Sequence, residues 1–156
     1  MPDAIKNGNS SYAMVIARVA VGLMFIMFAQ YKLIHTDFAH EGYAKYVTGW
    51  VQETSVSFYK PILKETLKYP KFIAYAVGIS EALIGLSLVL GFQVRPFSVL
   101  GGLFMVNLIL ATWRLPPGTP AWRYLGNQLE TIPLLLLFLV FFAHNAGQTM
   151  GLDKSS

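Results

Sequence analysis

The chain has 156 residues, 54% of them hydrophobic and 13% charged, with no cysteine and a formal net charge of +4. A soluble domain carries about 25% charged residues, so this composition is that of an integral membrane protein of one domain. The lack of thiols excludes disulfide exchange, thiolate catalysis, Cys-ligated zinc and iron–sulfur clusters within the chain, and the basic residues, scattered at helix ends and in one loop, suit anionic lipid headgroups rather than nucleic acid.

Residues 1–12 are polar and predict a short mobile tail. The apolar run Ala13–Ile34 is too long for the core of a signal peptide and lacks a small-residue cleavage pattern, so it is the first predicted span. Arg18, Gly22, Phe25, Ala29 and Lys32 share one of its faces. The connection over residues 35–71 is rich in aromatic residues. Tyr43, Tyr46, Val47, Trp50 and Val51 recur at helical spacing, with Lys45, Thr48, Gln52 and Glu53 between them. That pattern predicts an amphipathic helix lying in the membrane interface. Phe58–Leu67 predicts a second short helix with Pro61 in its first turn.

The second span is Phe72–Phe92, whose length matches the ~30 Å hydrocarbon core. It places Ala74, Gly78, Glu81 and Gly85 on one small face. A carboxylate at mid-depth costs ~2.5 kcal/mol or more in lipid, so Glu81 must face protein and find a partner or a proton. Gln93–Pro96 predicts a tight turn, and Pro96–Trp113 the third span, thinned at Gly101 and Gly102, with Asn107 near mid-depth. Residues 114–124 form a proline-rich loop. The fourth span is predicted over residues 125–145, with Asn127, Glu130, Phe141 and His144 on one face, and residues 146–156 form a polar tail. The expected fold is therefore all-α, a bundle of four transmembrane helices with an interfacial helix in the first loop. Four spans place both termini on one side. The loops 35–71 and 114–124, with their helix ends, hold most of the Lys and Arg residues, which puts those loops in the cytoplasm.

The run ARVAVGLMFIMFAQYKL, the segments FYKPIL and YPKF, the stretch GISEALIGLSLVLGFQVRP, and Glu130 followed by AGQTMGLD together resemble the DoxX superfamily. The likeness runs over residues 14–153 and is nearest to the DoxD branch, the small subunit of thiosulfate:quinone oxidoreductase. It implies a membrane subunit of a quinone-linked electron-transfer complex in a bacterial or archaeal cytoplasmic membrane. Its implied partners are lipids and other subunits, and quinone is its implied cofactor. No intrinsic redox centre is evident in the residues.

Depth, counted at ~1.5 Å per residue, sorts the polar groups of the spans into two expected clusters. The first joins Arg18 to Glu81 with Asn107. The second joins Lys32 to Glu130 with Gln30 and Asn127, roofed by Trp113 and Trp122. Pairing the charges is the cheapest way to hold them in lipid. Such clusters either lock helices in register or serve a quinone headgroup or a proton path, which needs donors, an acid and an apolar slot. On the second reading Glu81 and Glu130 handle protons, and Arg18, Gln30, Lys32, Asn107, Trp113 and Asn127 hold the acids or the ligand. No metal site is expected from His35, His40 and His144, which lack an acid cluster. The alternative is a non-catalytic structural subunit of a larger respiratory or photosynthetic assembly.

Overall fold

The computed structural model describes residues 2–114 and 118–153, the side chains of residues 2–10, Ala121, Tyr124 and Asn127 excepted. The described residues are helical wherever they are regular. Helix α1 runs Pro2–Ile34 without a break, so the predicted polar tail is helical from its second residue. Proline suits that first position because its missing N–H would be unpaired there in any case. Within α1, Ser11–Ile34 is the stretch long and apolar enough to cross a membrane.

The connection to the next span is itself largely helical. A π-helical turn, Phe38–Gly42, leads into α2, Tyr43–Glu53, and a 3-10 turn, Ser57–Tyr59, leads into α3, Lys60–Thr66. Helix α2 is amphipathic: Tyr43 and Val47 are buried, while Lys45, Gln52 and Glu53 are exposed. Pro61 occupies the first turn of α3.

Helix α4, Pro70–Leu90, starts on a proline and ends on Gly91, which takes φ 67° as a left-handed C-cap. Glycine carries that conformation without a Cβ clash. Helix α5, Val94–Thr112, follows after three residues. Both helices begin and end slightly earlier than the hydropathy pattern predicts; for α4, Pro70 opens the helix ahead of the apolar run and Gly91 closes it within the run.

The region predicted as one helix over residues 125–145 is divided. Helix α6 covers Ala121–Asn127 and α7 covers Thr131–Ala143. The break falls at Gln128, which is buried and donates from Nε2 to the Thr112 hydroxyl at 3.0 Å. Helix α7 has 13 residues, about 20 Å of helix. The helices long and apolar enough to cross a membrane are thus three among the described residues.

Helix α1 lies antiparallel along α4, α4 touches α5, and α5 lies along α7. The α1–α4 seam is made by glycines. A Cβ placed on Gly85 would stand 2.7 Å from the Gly22 carbonyl oxygen, and one on Gly78 would meet Leu33 at 2.9 Å. In lipid, helices gain little from hydrophobic exclusion, so this close approach and its dispersion contacts hold the pair. The face predicted from sequence is the buried one: Ala74, Gly78, Glu81 and Gly85 are all enclosed.

Two cores fill the bundle. One joins Val21, Phe25, Ile84, Leu88, Phe138 and Phe141. Phe25 meets Phe138 edge-on at 5.4 Å, and Phe138 lies against Gly101, whose missing side chain makes the room. The other core joins Tyr43, Val47, Tyr59 and Leu63 of the connection to Ala74 and Ala111 of the spans. The helical connection therefore folds onto the ends of α4 and α5. Outward-facing Leu23, Met27, Leu83, Leu103, Leu136 and Leu139 remain exposed, an apolar surface of the kind lipid covers.

Candidate functional site

The polar chemistry of the bundle gathers where the connection meets the spans. Lys32 Nζ donates to Glu81 Oε1 in an ion pair. The α1–α4 register explains the match: Leu33 stands at Gly78, so Lys32 lies about one turn from Glu81. Arg18, the expected partner of Glu81, instead stands at Gly91, about 15 Å farther along α4. Arg18 therefore does not pair with Glu81, contrary to the expectation from depth alone. Glu81 is 7% exposed, and its second oxygen, Oε2, is buried with no hydrogen-bond partner among the described residues. Lys32 also sits 5.6 Å from the centre of the Phe38 ring, where the ring's electron-rich face adds to its stabilisation.

This pair forms one wall of a cavity of about 350 Å³, within the size range of small-molecule sites. Tyr43, Tyr46, Val47 and Trp50 of α2 roof it, and Tyr59, Ile62 and Leu63 close a side. Phe104, Asn107 and Leu108 of α5 form the far wall. Tyr31, Tyr46 and Ile62 each keep more than half of their surface exposed, so the rim is apolar and aromatic.

The roof is held by hydrogen bonds from the end of α2 to the end of α5. The Thr54 hydroxyl donates to the Leu110 carbonyl at 2.7 Å, and the Ser55 amide donates to the Trp113 carbonyl at 2.7 Å. Arg114 pairs with Glu53 on the outside of the same junction. Inside, the Tyr59 hydroxyl donates to Asn107 Oδ1. Burial pushes the phenols of Tyr43 and Tyr59 above the usual tyrosine range, because the phenolate would be poorly solvated there.

A second polar cluster lies at the opposite end of the bundle. Arg18 is 1% exposed; its Nη1 donates to the Ala146 carbonyl at 2.7 Å and its Nη2 reaches the Met150 carbonyl at 3.5 Å. Asp153 accepts from the backbone N–H groups of Gln93 at 2.6 Å and Val94 at 3.1 Å. An acidic side chain at a helix N-terminus satisfies unpaired donors and complements the dipole. The sequence AGQTMGLD is thus a strap tied across the start of α5 by Arg18 and Asp153.

The expected clusters regroup accordingly. Glu81, Lys32 and Asn107 come together around the cavity, with Tyr59 as the partner of Asn107. Glu130 is exposed at the start of α7 and forms no pair with Lys32, because the turn at residues 128–130 carries it outward. Gln30 is exposed on the outer face of α1. Trp113 is outside the cavity lining and contributes its carbonyl to the α2 junction. Trp122 is 71% exposed and roofs nothing. The side chain of Asn127 lies outside the described residues. Sequence reasoning missed Tyr59 and the inward role of α2. The four-residue step from Tyr43 to Val47 marks an apolar side of α2 but not what covers it, and no spacing singles out Tyr59.

A family model described as DoxX matches residues 13–114, from the first span to the end of α5. No curated protein and no solved structure matches the chain.

Proposed function

The chain belongs to the DoxX family, and from that premise we propose that it is a membrane subunit of a quinone-linked electron-transfer complex, of the DoxD type. The quinone headgroup would occupy the cavity beneath α2. The observation that carries this reading is the ion pair of Lys32 and Glu81 facing an aromatic cavity of about 350 Å³ with an apolar rim. Aromatic walls suit a flat ring, and the rim lets an apolar tail lie against lipid. Reduction of a quinone to its hydroquinone takes two electrons and two protons. The electrons come from an electron-donating partner subunit, and Glu81, within the cavity wall, passes protons.

Residues 128–147 run the full length of α5, from Gln128 at Thr112 to Gly147 beside Val94. A stretch of that extent makes a fourth crossing, with α7 as its helical centre. Helix α2 then lies in the interface of a bacterial or archaeal cytoplasmic membrane, its charged face toward the headgroups.

The experiment is purification in mild detergent, followed by extraction and mass spectrometry of bound small molecules and chains. A co-purified isoprenoid quinone, lost in Glu81→Gln, is the expected result. A protein that carries no quinone, takes up none in lipid nanodiscs, and sits in a large assembly with full activity after Glu81→Gln would overturn it in favour of a structural subunit.

A further inference from the structure

We infer that the cavity recognises its ligand at two separate points, with Lys32 donating to one ring carbonyl and Asn107 to the other, and with Tyr59 as the residue that sets the Asn107 amide. This rests on the quinone reading above and adds the orientation of the ring and the reason for a dicarbonyl preference.

Asn107 lies on α5, in the wall across from the α1–α4 pair. A side-chain amide has an acceptor oxygen and a donor nitrogen, and which end faces a ligand decides what it binds. Here Tyr59 engages the oxygen end. Its hydroxyl, on a residue 8% exposed, donates to Asn107 Oδ1. With Oδ1 engaged, the Nδ2 hydrogens are the groups left for a ligand. Asn107 keeps exposed surface and lines the cavity, so those hydrogens have access to it.

The other wall is built in the same sense. An ammonium has three N–H donors, and Lys32 commits one to Glu81. The walls therefore offer donors on two sides of an aromatic slot, which fits a ring with two carbonyl acceptors. Glu81 lines the cavity beside Lys32 and adds a carboxylate acceptor there. It suits the hydroxyl of the hydroquinone, so both redox forms find a complement at that point.

The test is infrared difference spectroscopy on the protein in nanodiscs. The probe is a prenylated benzoquinone, labelled with carbon-13 at one carbonyl or the other. Two carbonyl bands are expected, each lowered relative to the free quinone in the same lipid. Asn107→Leu should return one band to the free frequency and weaken binding about five- to tenfold, the scale of one hydrogen bond. Lys32→Met should return the other band. Tyr59→Phe keeps Asn107 but frees its amide, so the band assigned to Asn107 should broaden while the Lys32 band stays in place. Circular dichroism checks that each variant is folded, and Asn107→Gln stands in where Asn107→Leu is not. Bound quinone whose two bands are indifferent to Asn107 and Tyr59 overturns the two-point inference and leaves the quinone reading intact. Wild-type protein that binds no quinone at any concentration overturns both.

Discussion

Lys32 on α1 pairs with Glu81 on α4, and not with Glu130, because the glycine seam sets the two helices in a register that brings them within a turn. The pair is well enclosed, the side chains being 19% and 9% exposed. Removing one partner of an enclosed pair leaves a charge without compensation, a loss of about 3 kcal/mol. Lys32→Met is therefore expected to lower the thermal midpoint in detergent markedly. Lys32→Met with Glu81→Leu should recover most of the loss, since no charge is then left unpaired. Equal midpoints for Lys32→Met and wild type would remove the pair from the structural account.

The seam itself is testable with single methyl groups. Gly85→Ala places a Cβ near the Gly22 carbonyl and the Ile26 backbone nitrogen, neither of which can move aside cheaply. A loss of about 1–3 kcal/mol is expected from overpacking of this kind. Gly49→Ala, in α2, meets nothing within 4 Å and should stabilise its helix by roughly 0.5–1 kcal/mol. Thermal unfolding of the two variants side by side checks both signs.

Glu130 is exposed, away from the cavity. On the quinone role proposed above, Glu130→Gln should leave quinone binding and reduction as in wild type, whereas Glu81→Gln should abolish reduction. Binding and reduction assays on the two variants separate them. A loss in Glu130→Gln comparable to that in Glu81→Gln would return the chemistry to the start of α7.

The C-terminal strap should be visible by hydrogen exchange. Asp153 accepts from the N–H groups of Gln93 and Val94, while its own amide donates to the Gly91 carbonyl at 2.9 Å. Asp153→Ala removes a cap of the kind worth about 1 kcal/mol, so those amides should exchange roughly fivefold faster. Arg18→Met should produce the same pattern, because the Ala146 carbonyl loses its donor. Unchanged protection in both variants would show that the strap is held by its backbone alone.

The roof of the cavity carries a pH dependence. Burial raises the phenol pKa of Tyr43, partly offset by its hydrogen bond with Thr66, and that of Tyr59, to which the neighbouring Tyr43 adds. The unfolded chain ionises near the usual tyrosine value of about 10. Stability from these two groups is thus fully present below that value and is lost as pH rises toward their raised pKa values. Tyrosinate absorbance should show a late component that disappears in Tyr43→Phe with Tyr59→Phe. Its persistence in the double variant would assign it elsewhere.

Much of this architecture is legible in the residues. The apolar runs mark three crossings, and the small face through Ala74, Gly78, Glu81 and Gly85 is the one α4 buries. The carboxylate's need for a partner is equally plain. Its partner is not, because depth counting treats each span alone, while the pairing depends on how far α1 slides along α4. That slide is fixed by Gly22 meeting Gly85, a contact of two backbones that hydropathy does not report. The inward role of Tyr43 and Tyr59 was hidden for a related reason. An amphipathic helix shows that it has an apolar side, but whether lipid or protein covers that side is decided by tertiary anchors such as Thr54 on the Leu110 carbonyl. Residues 128–130 interrupt what hydropathy alone reads as one helix, since the hydrogen bond of Gln128 with Thr112 is a long-range preference.

The π-helical turn Phe38–Gly42 has one more residue per turn than the helix it joins. Deleting a residue there would close an ordinary turn and leave the phase of everything after it nearly unchanged, because the lost residue and the lost widening offset one another. Tyr43 and Val47 would keep their places on the lining. The wide turn is thus the place in this architecture where a single-codon insertion or deletion can be absorbed while the spans and the residues of α2 that line the cavity keep their orientation.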